Sequence, residues 1–219
     1  MTESGAAPAG PLLHPVPASD TKYELVSYLT LRRVVGVLGV SMPIVVAVWG
    51  LVLPLPHRLL DTISDYYGFR TRDVFVGVLF TIAWFLFTYR GYDRRDNIAG
   101  NFACVFALGV ALFPDNGPGM DPVIHYLSAA ALFLVLAYFS LALFTKTGGN
   151  PTPKKLVRNR VYRVCGIVML ACIALMGLYN LVGKPAVLAG LKPVFWLETF
   201  ALWAFGFSWF VKGETLWKD

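Results

Sequence analysis

The sequence predicts an all-α polytopic membrane protein: one bundle of six transmembrane helices with both termini cytoplasmic. Three observations carry that prediction. Only 15% of the 219 residues are charged, where soluble domains carry about 25%, and mean hydropathy is +0.61. Apolar runs of about 20 residues, enough to cross a bilayer, recur along the chain. Lysine and arginine concentrate in alternate loops, as orientation in a membrane requires.

The elements follow in order. Residues 1–22, MTESGAAPAGPLLHPVPASDTK, are rich in Pro, Ala and Gly. They lack a basic start and an apolar core of about 7–15 residues, so they read as a disordered tail rather than a cleaved signal. YELVSYLTLRR, 23–33, reads as an interfacial stretch with Arg32 and Arg33 at the headgroups. Span one is 34–54, and Pro43 inside it predicts a kink or local unwinding. Spans two and three, 73–90 and 97–113, flank YRGYDRRDN, a charge-laced hairpin in which Asp93 and Asp96 pair with Arg90, Arg94 and Arg95. PDNGPGMDP at 114–122, KTGGNPTPKK at 146–155 and GKP at 183–185 carry turn chemistry. They separate span three, span four at 122–145, span five at 161–182 and span six at 193–212.

The 146–163 loop holds six basic residues and no acid, and 90–96 holds three arginines. The 114–121 loop has no base and two acids, Asp115 and Asp121. The first pair therefore faces the cytoplasm, in the plasma (inner) membrane, and both termini follow. The dissenting loop, 55–72, carries Arg58, Arg70 and Arg72 yet falls outside; Asp61, Asp65 and Asp73 supply local ion pairs. The basic loop serves topology, and its sharper reading is contact of Lys154, Lys155, Arg158, Arg160 and Arg163 with anionic lipid, worth roughly 1 kcal/mol per base. A nucleic-acid partner is not expected, because the bases adjoin a membrane without an aromatic platform.

Ionisable groups within spans are costly and therefore candidates for function. On this topology they fall at the outer end. They are Asp73 opening span two, Asp115 after span three, His125 and Ser128 on one face of span four, Asn180 near the end of span five, and Glu198 in span six. TISDYYGFRTRDVFVG, 62–77, would roof them, adding Ser64, Asp65, Tyr66 and Arg72. Each has a structural reading beside the functional one. Glu198 pairs with Lys184, Lys192 or Arg72; His125 rests at the interface; Asp73 caps a helix. Asn97 and Asn101 read as interhelical glue, with Gly100, Ala103 and Ala107 allowing close approach.

The sequence points to no cofactor and no metal. Phosphate-binding loops, HExxH and GxSxG are absent, and the three histidines, His14, His57 and His125, are scattered. Cys104, Cys165 and Cys172 lie in apolar runs without ligand spacing and read as small buried hydrophobes.

Ile63-Ser64-Asp65 before span two, the Asn97, Gly100 and Asn101 set of span three, and His125-Tyr126 with small residues after it together form a pattern. It resembles the six-helix membrane family of the damage-regulated autophagy modulators and GPI-anchor lipid-remodelling factors, with similar bacterial proteins of unknown function. The likeness covers about residues 62–145. It implies a six-helix bundle with a lipid-linked role and no defined reaction.

The expectation is an outward-facing pocket that binds a lipid or amphiphile headgroup. Arg72 would hold an anionic group, and Asp65, His125 and Glu198 would polarise or protonate it. The alternatives are a lipid hydrolase or transferase with Asp65 and His125 as its acid-base pair, and a scaffolding bundle. A transporter is disfavoured by the apolar midplane and the absence of a repeat.

Overall fold

The structure is a computed structural model describing residues 18–52, 58–91 and 93–217, with side chains from Tyr28 onward except Ala186. The described residues are helical, without strand. They form α1 (Ala18–Val52), a 3-10 turn (Ser64–Gly68), α2 (Arg72–Thr88), α3 (Arg94–Leu112) and α4 (Asp121–Tyr138). A π turn (Phe139–Leu143), α5 (Pro153–Leu181), a short α6 (Ala186–Ala189) and α7 (Pro193–Lys212) complete the chain. Tyr28–Val52, Asp121–Leu143, Pro153–Leu181 and Pro193–Lys212 are each long and apolar enough to cross a membrane. The chain thus has four helices of membrane-spanning character. The remaining two long helices, α2 with 17 residues and α3 with 19, fall short in length and apolarity respectively.

Some boundaries differ from expectation. Residues 18–22, expected in the tail, are the first turns of α1, and 23–33 continue the same helix; the rest of the tail, 1–17, lies outside the described residues. Pro43 does not unwind α1, which runs helical through it. A proline at this position leaves the Gly39 carbonyl without its helical donor. Trp203 of α7 donates its indole N–H to the adjacent Val40 carbonyl at 3.1 Å, adding a tertiary bond at the weakened turn.

The long helices close a ring in the order α1, α2, α3, α4, α5, α7 and back to α1. Glycine permits the tightest contacts. A Cβ on Gly36 would stand 2.7 Å from the Gly206 carbonyl oxygen, and one on Gly206 would stand 2.6 Å from that of Gly36. This is a small-residue helix crossing, in which backbones gain van der Waals contact that lipid cannot supply. Gly100 approaches the Leu86 carbonyl in the same way, joining α3 to α2. Ala103 and Ala107 are buried on that helix, whereas Asn101 is exposed and bridges nothing. Asn97 accepts from the Gly91 N–H, bracing the α2–α3 turn rather than an interhelical bond.

The two ends of the ring differ. One end, here the basic end, carries the α2–α3 turn, the 144–153 loop and the end of α7. Asp93 caps α3, accepting from the N–H groups of Arg95 and Asp96, while Asp96 accepts from the Asp93 N–H at 3.2 Å. Neither acid pairs with Arg90, Arg94 or Arg95 as expected. Both take Lys146, at 3.0 and 2.7 Å, because Asp96 is buried and only a chain reaching in from the next loop can neutralise it. Trp209 fills the ring interior near this end, with Tyr89, Phe139, Phe144 and Phe205 at centroid distances of 5.1–6.2 Å. The opposite end is less tightly filled. There α4 and α5, which touch closely where Gly166 meets Leu141, part and leave a cavity.

Candidate functional site

The 3-10 turn sets the geometry of the cavity end. Thr62 and Asp65 lock it reciprocally: the Thr62 N–H donates to the Asp65 carboxylate at 3.0 Å, and the Asp65 N–H to the Thr62 hydroxyl at 2.9 Å. Ile63 then donates its N–H to a Glu198 carboxyl oxygen at 2.6 Å, tying the turn to α7. Ser64 follows, and its hydroxyl meets His125 Nε2 at 2.9 Å. The other ring nitrogen, Nδ1, lies 2.7 Å from the Phe113 carbonyl oxygen. A carbonyl only accepts, so Nδ1 carries the proton in the neutral imidazole. Nε2 is then the acceptor and the Ser64 hydroxyl donates to it.

A cavity of about 490 Å³ lies between α4, α5 and α7. Ser64, Asp115, Asn180, Lys184 and Glu198 supply its polar groups, and Ala129, Phe133, Ile173 and Val194 are among its apolar walls. Tyr126, Ala130 and Gly177 also line it and are exposed, so it opens on the flank of the bundle. Asp115 is 9% exposed, and its Oδ1 has no hydrogen-bond partner among the described residues. Burial pushes its carboxyl above the ordinary value, and the Asp65 charge adds to the effect, while His125 opposes it.

Of the residues singled out from sequence, Ser64, Asp115, Asn180 and Glu198 thus share one cavity. His125 is 1% exposed and stands behind Ser64, positioning it. The others lie elsewhere. Asp65 is turned to Thr62, 3-10 geometry having sent its side chain away from Ser64. Tyr66 is fully buried against Gly50 and Phe195, and burial raises its phenol above the ordinary value. Arg72 stacks 4.6 Å from the centre of the Tyr67 ring and donates to its hydroxyl. Asp73 is exposed, and the Thr71 cap of α2 makes no side-chain bond. Ser128 fills the α3–α4 contact, where a Cβ on Gly109 would stand 2.3 Å from its hydroxyl. Glu198 is held by the Ile63 backbone rather than by Lys184, Lys192 or Arg72, and Lys192 pairs instead with Asp61. Asn180 donates to the Met176 carbonyl from the cavity mouth.

Sequence reasoning missed Tyr126, Lys184 and the Phe113 carbonyl. Lys184 had a visible signal as one of two bases in an otherwise uncharged loop. A backbone carbonyl has none. Comparison with protein-family models, curated proteins and solved structures found no match for this chain.

Proposed function

We propose that this protein spans the membrane six times and binds the headgroup of a lipid or amphiphile in the cavity between α4, α5 and α7. The observation that carries the reading is the shape and polarity of that cavity. Its polar groups gather at the end of the bundle and its walls below are apolar, so an amphiphile entering from the flank meets both. The acids Asp115 and Glu198 face Lys184 alone among the cavity's charged groups. The lining therefore favours a headgroup that donates hydrogen bonds, an amine or polyol, over an anionic one. Arg72, which would have held an anion, points away. The family resemblance noted above is in keeping with a lipid-linked role.

Gly177 offers the test, since a Cβ there meets nothing within 4 Å. Gly177→Phe is expected to fill the cavity while leaving the fold intact. Lipid carried through purification, measured by native mass spectrometry, should fall at least severalfold. Unchanged lipid in a folded Gly177→Phe protein would sink the idea.

Six spans are supported by the closed ring. Between α1 and α4, the 17 residues of α2 reach about 26 Å at ~1.5 Å per residue. Those of α3 reach slightly further, so both match the bilayer layer set by their neighbours. With the basic end cytoplasmic, in the plasma membrane, Gly148→Cys should react only from the inside and Asn116→Cys only from the outside. Labelling of both from one side would overturn the topology.

A second reading rests on the Ser64–His125 hydrogen bond, which has the arrangement of a nucleophile and its base. In a lipid esterase, Ser64 Oγ would attack the ester carbonyl as His125 Nε2 takes its proton. The same proton would pass to the departing alcohol, and water would then release the acyl group. Binding ranks first because two nearby N–H groups that would stabilise an oxyanion are committed, Ile63 to Glu198 and Asp65 to Thr62. A fluorophosphonate adduct on Ser64, lost in His125→Gln, would reverse that ranking. Transport is disfavoured by the buried cluster around Trp209, which fills the interior between the cavity and the basic end.

A further inference from the structure

The basic end contains a second cavity, of about 530 Å³, separate from the one described above. Arg32, Lys146, Lys155, Arg158 and Lys212 line it, and Glu214 is the acid among its lining residues. They come from α1, the 144–153 loop, α5 and α7, so only the closed ring brings them together. Lys146 is committed to Asp93 and Asp96. The other four cations face Glu214.

The cations are held in place by contacts that leave their charge directed at one volume. Arg32 stacks at 4.3 Å from the centre of Tyr28, and its buried Nε has no hydrogen-bond partner among the described residues. Lys155 donates to the Phe144 carbonyl at 2.9 Å, and Arg158 to the Trp217 carbonyl at 3.0 Å. Lys212 is 6% exposed and lies 5.2 Å from the centre of the Phe144 ring. The amino end of α5 adds to this field. Thr152 caps that 29-residue helix by accepting from the Lys155 N–H, and both residues line the cavity. A helix amino terminus carries positive partial charge and suits anions.

Like charges gathered under partial burial repel one another and lose hydration, so bringing them together is unfavourable without a counter-charge. Ordinary topology-setting bases avoid this by pointing into water, as Lys154, Arg160 and Arg163 do. We propose that this cavity is a binding site for a phosphate-bearing anion, seated between α1, α5 and α7. Arg32 and Arg158 supply planar guanidinium groups and Lys155 and Lys212 supply ammonium groups, the donor set that phosphate oxygens take. The volume exceeds that of inorganic phosphate and admits a phosphorylated headgroup. The phosphate belongs either to a lipid at the bilayer surface or to a soluble molecule.

The full chain in phosphatidylcholine nanodiscs provides the test. One arm titrates sodium pyrophosphate by calorimetry. The other adds phosphatidic acid to the nanodisc and measures its retention by native mass spectrometry. Binding in the first arm identifies a soluble phosphate, binding in the second a lipid headgroup, and either supports the site. Arg32→Gln and Lys155→Gln should each weaken binding about tenfold, the loss expected for one charge-assisted donor. Arg32→Lys should retain most of it, and Arg160→Gln/Arg163→Gln should leave it unchanged. No binding by wild-type protein in either arm overturns the inference. So does an equal loss in the Arg160/Arg163 variant, which would reduce the effect to surface attraction. If Arg32→Gln does not fold, Lys155→Gln alone decides.

Discussion

The Asp115 carboxyl lies at the polar cavity with one oxygen unpartnered among the described residues. Burial raises its pKa above the ordinary 3.8, so the folded protein disfavours the ionised form. The consequence for stability has a definite sign. Below the unfolded pKa the group is neutral in both states and folding is unopposed by it. As pH rises through the folded pKa, ionisation costs more in the folded protein, and that part of the stability is lost. Asp115→Asn should therefore stabilise the protein at neutral pH and make little difference at pH values below 3.8. Melting temperatures of both proteins across that range check the prediction.

Lys146 shows the opposite balance. Burial pulls its ammonium down, but the hydrogen bonds to Asp96 and Asp93 outweigh that and raise it above 10.5. Its partner Asp93 is held at about 2, chiefly by the same ammonium. The pair's contribution is complete between these limits. It fades as pH falls from 3.8 through about 2, and again above 10.5. Asp96 is the more consequential partner, with its side chain 1% exposed against 49% for Asp93. Lys146→Met should cost about 3 kcal/mol by leaving a buried carboxylate uncompensated. Asp93→Asn, which keeps the cap, should cost under about 1 kcal/mol. Denaturant midpoints of the two variants separate them.

At the scale of elements, the α1–α7 crossing depends on Gly36 and Gly206, each lying within 3 Å of the other's carbonyl oxygen at its Cβ position. Backbone, unlike a side chain, cannot rotate away. Gly206→Leu should force the helices apart and cost at least ~2 kcal/mol, whereas Gly77→Ala, with open space around it, should be nearly neutral. Thermal unfolding in detergent distinguishes the two. The sequence marked Gly100 and its alanine neighbours as a close-approach face because small residues recur there at helical spacing. It could not mark the Gly36–Gly206 pair, since 170 residues separate its members. The same limit hid the partner of Asp96. Nearby arginines were the obvious candidates by sequence, but α3 turns them outward, and a lysine from the following loop completes the pair.

For the whole molecule, hydropathy made the helical membrane character legible. Four helices carry enough length and apolarity to span on their own. α2 and α3 are read as spans only through their places in the ring, because one is short and the other starts with Arg94, Arg95, Asp96 and Asn97. Part of the candidate site was legible for a physical reason. Polar groups in apolar runs are expensive wherever they fall, which drew Ser64, Asp115, Asn180 and Glu198 to notice. Direction was not legible: Ser64, Asp65 and Tyr66 are consecutive, yet one faces the cavity, one its own turn and one the core. The basic cavity was invisible for a related reason. Arg32 and Lys212 lie at opposite ends of the described chain and meet only when α1 and α7 close the ring.

The parting of α4 from α5 changes what concentration means for this protein. Their contact at Gly166 and separation beyond it open the polar cavity sideways, where Tyr126, Ala130 and Gly177 stand on the flank. A molecule entering there comes from the plane of the bilayer, and the aqueous volume of the sample does not dilute it. In the proposed binding role, occupancy should follow the ligand's mole fraction among lipids. Doubling total lipid at fixed composition should leave it unchanged, and diluting the ligand with inert lipid should empty the cavity. A ligand arriving through water would follow molarity instead.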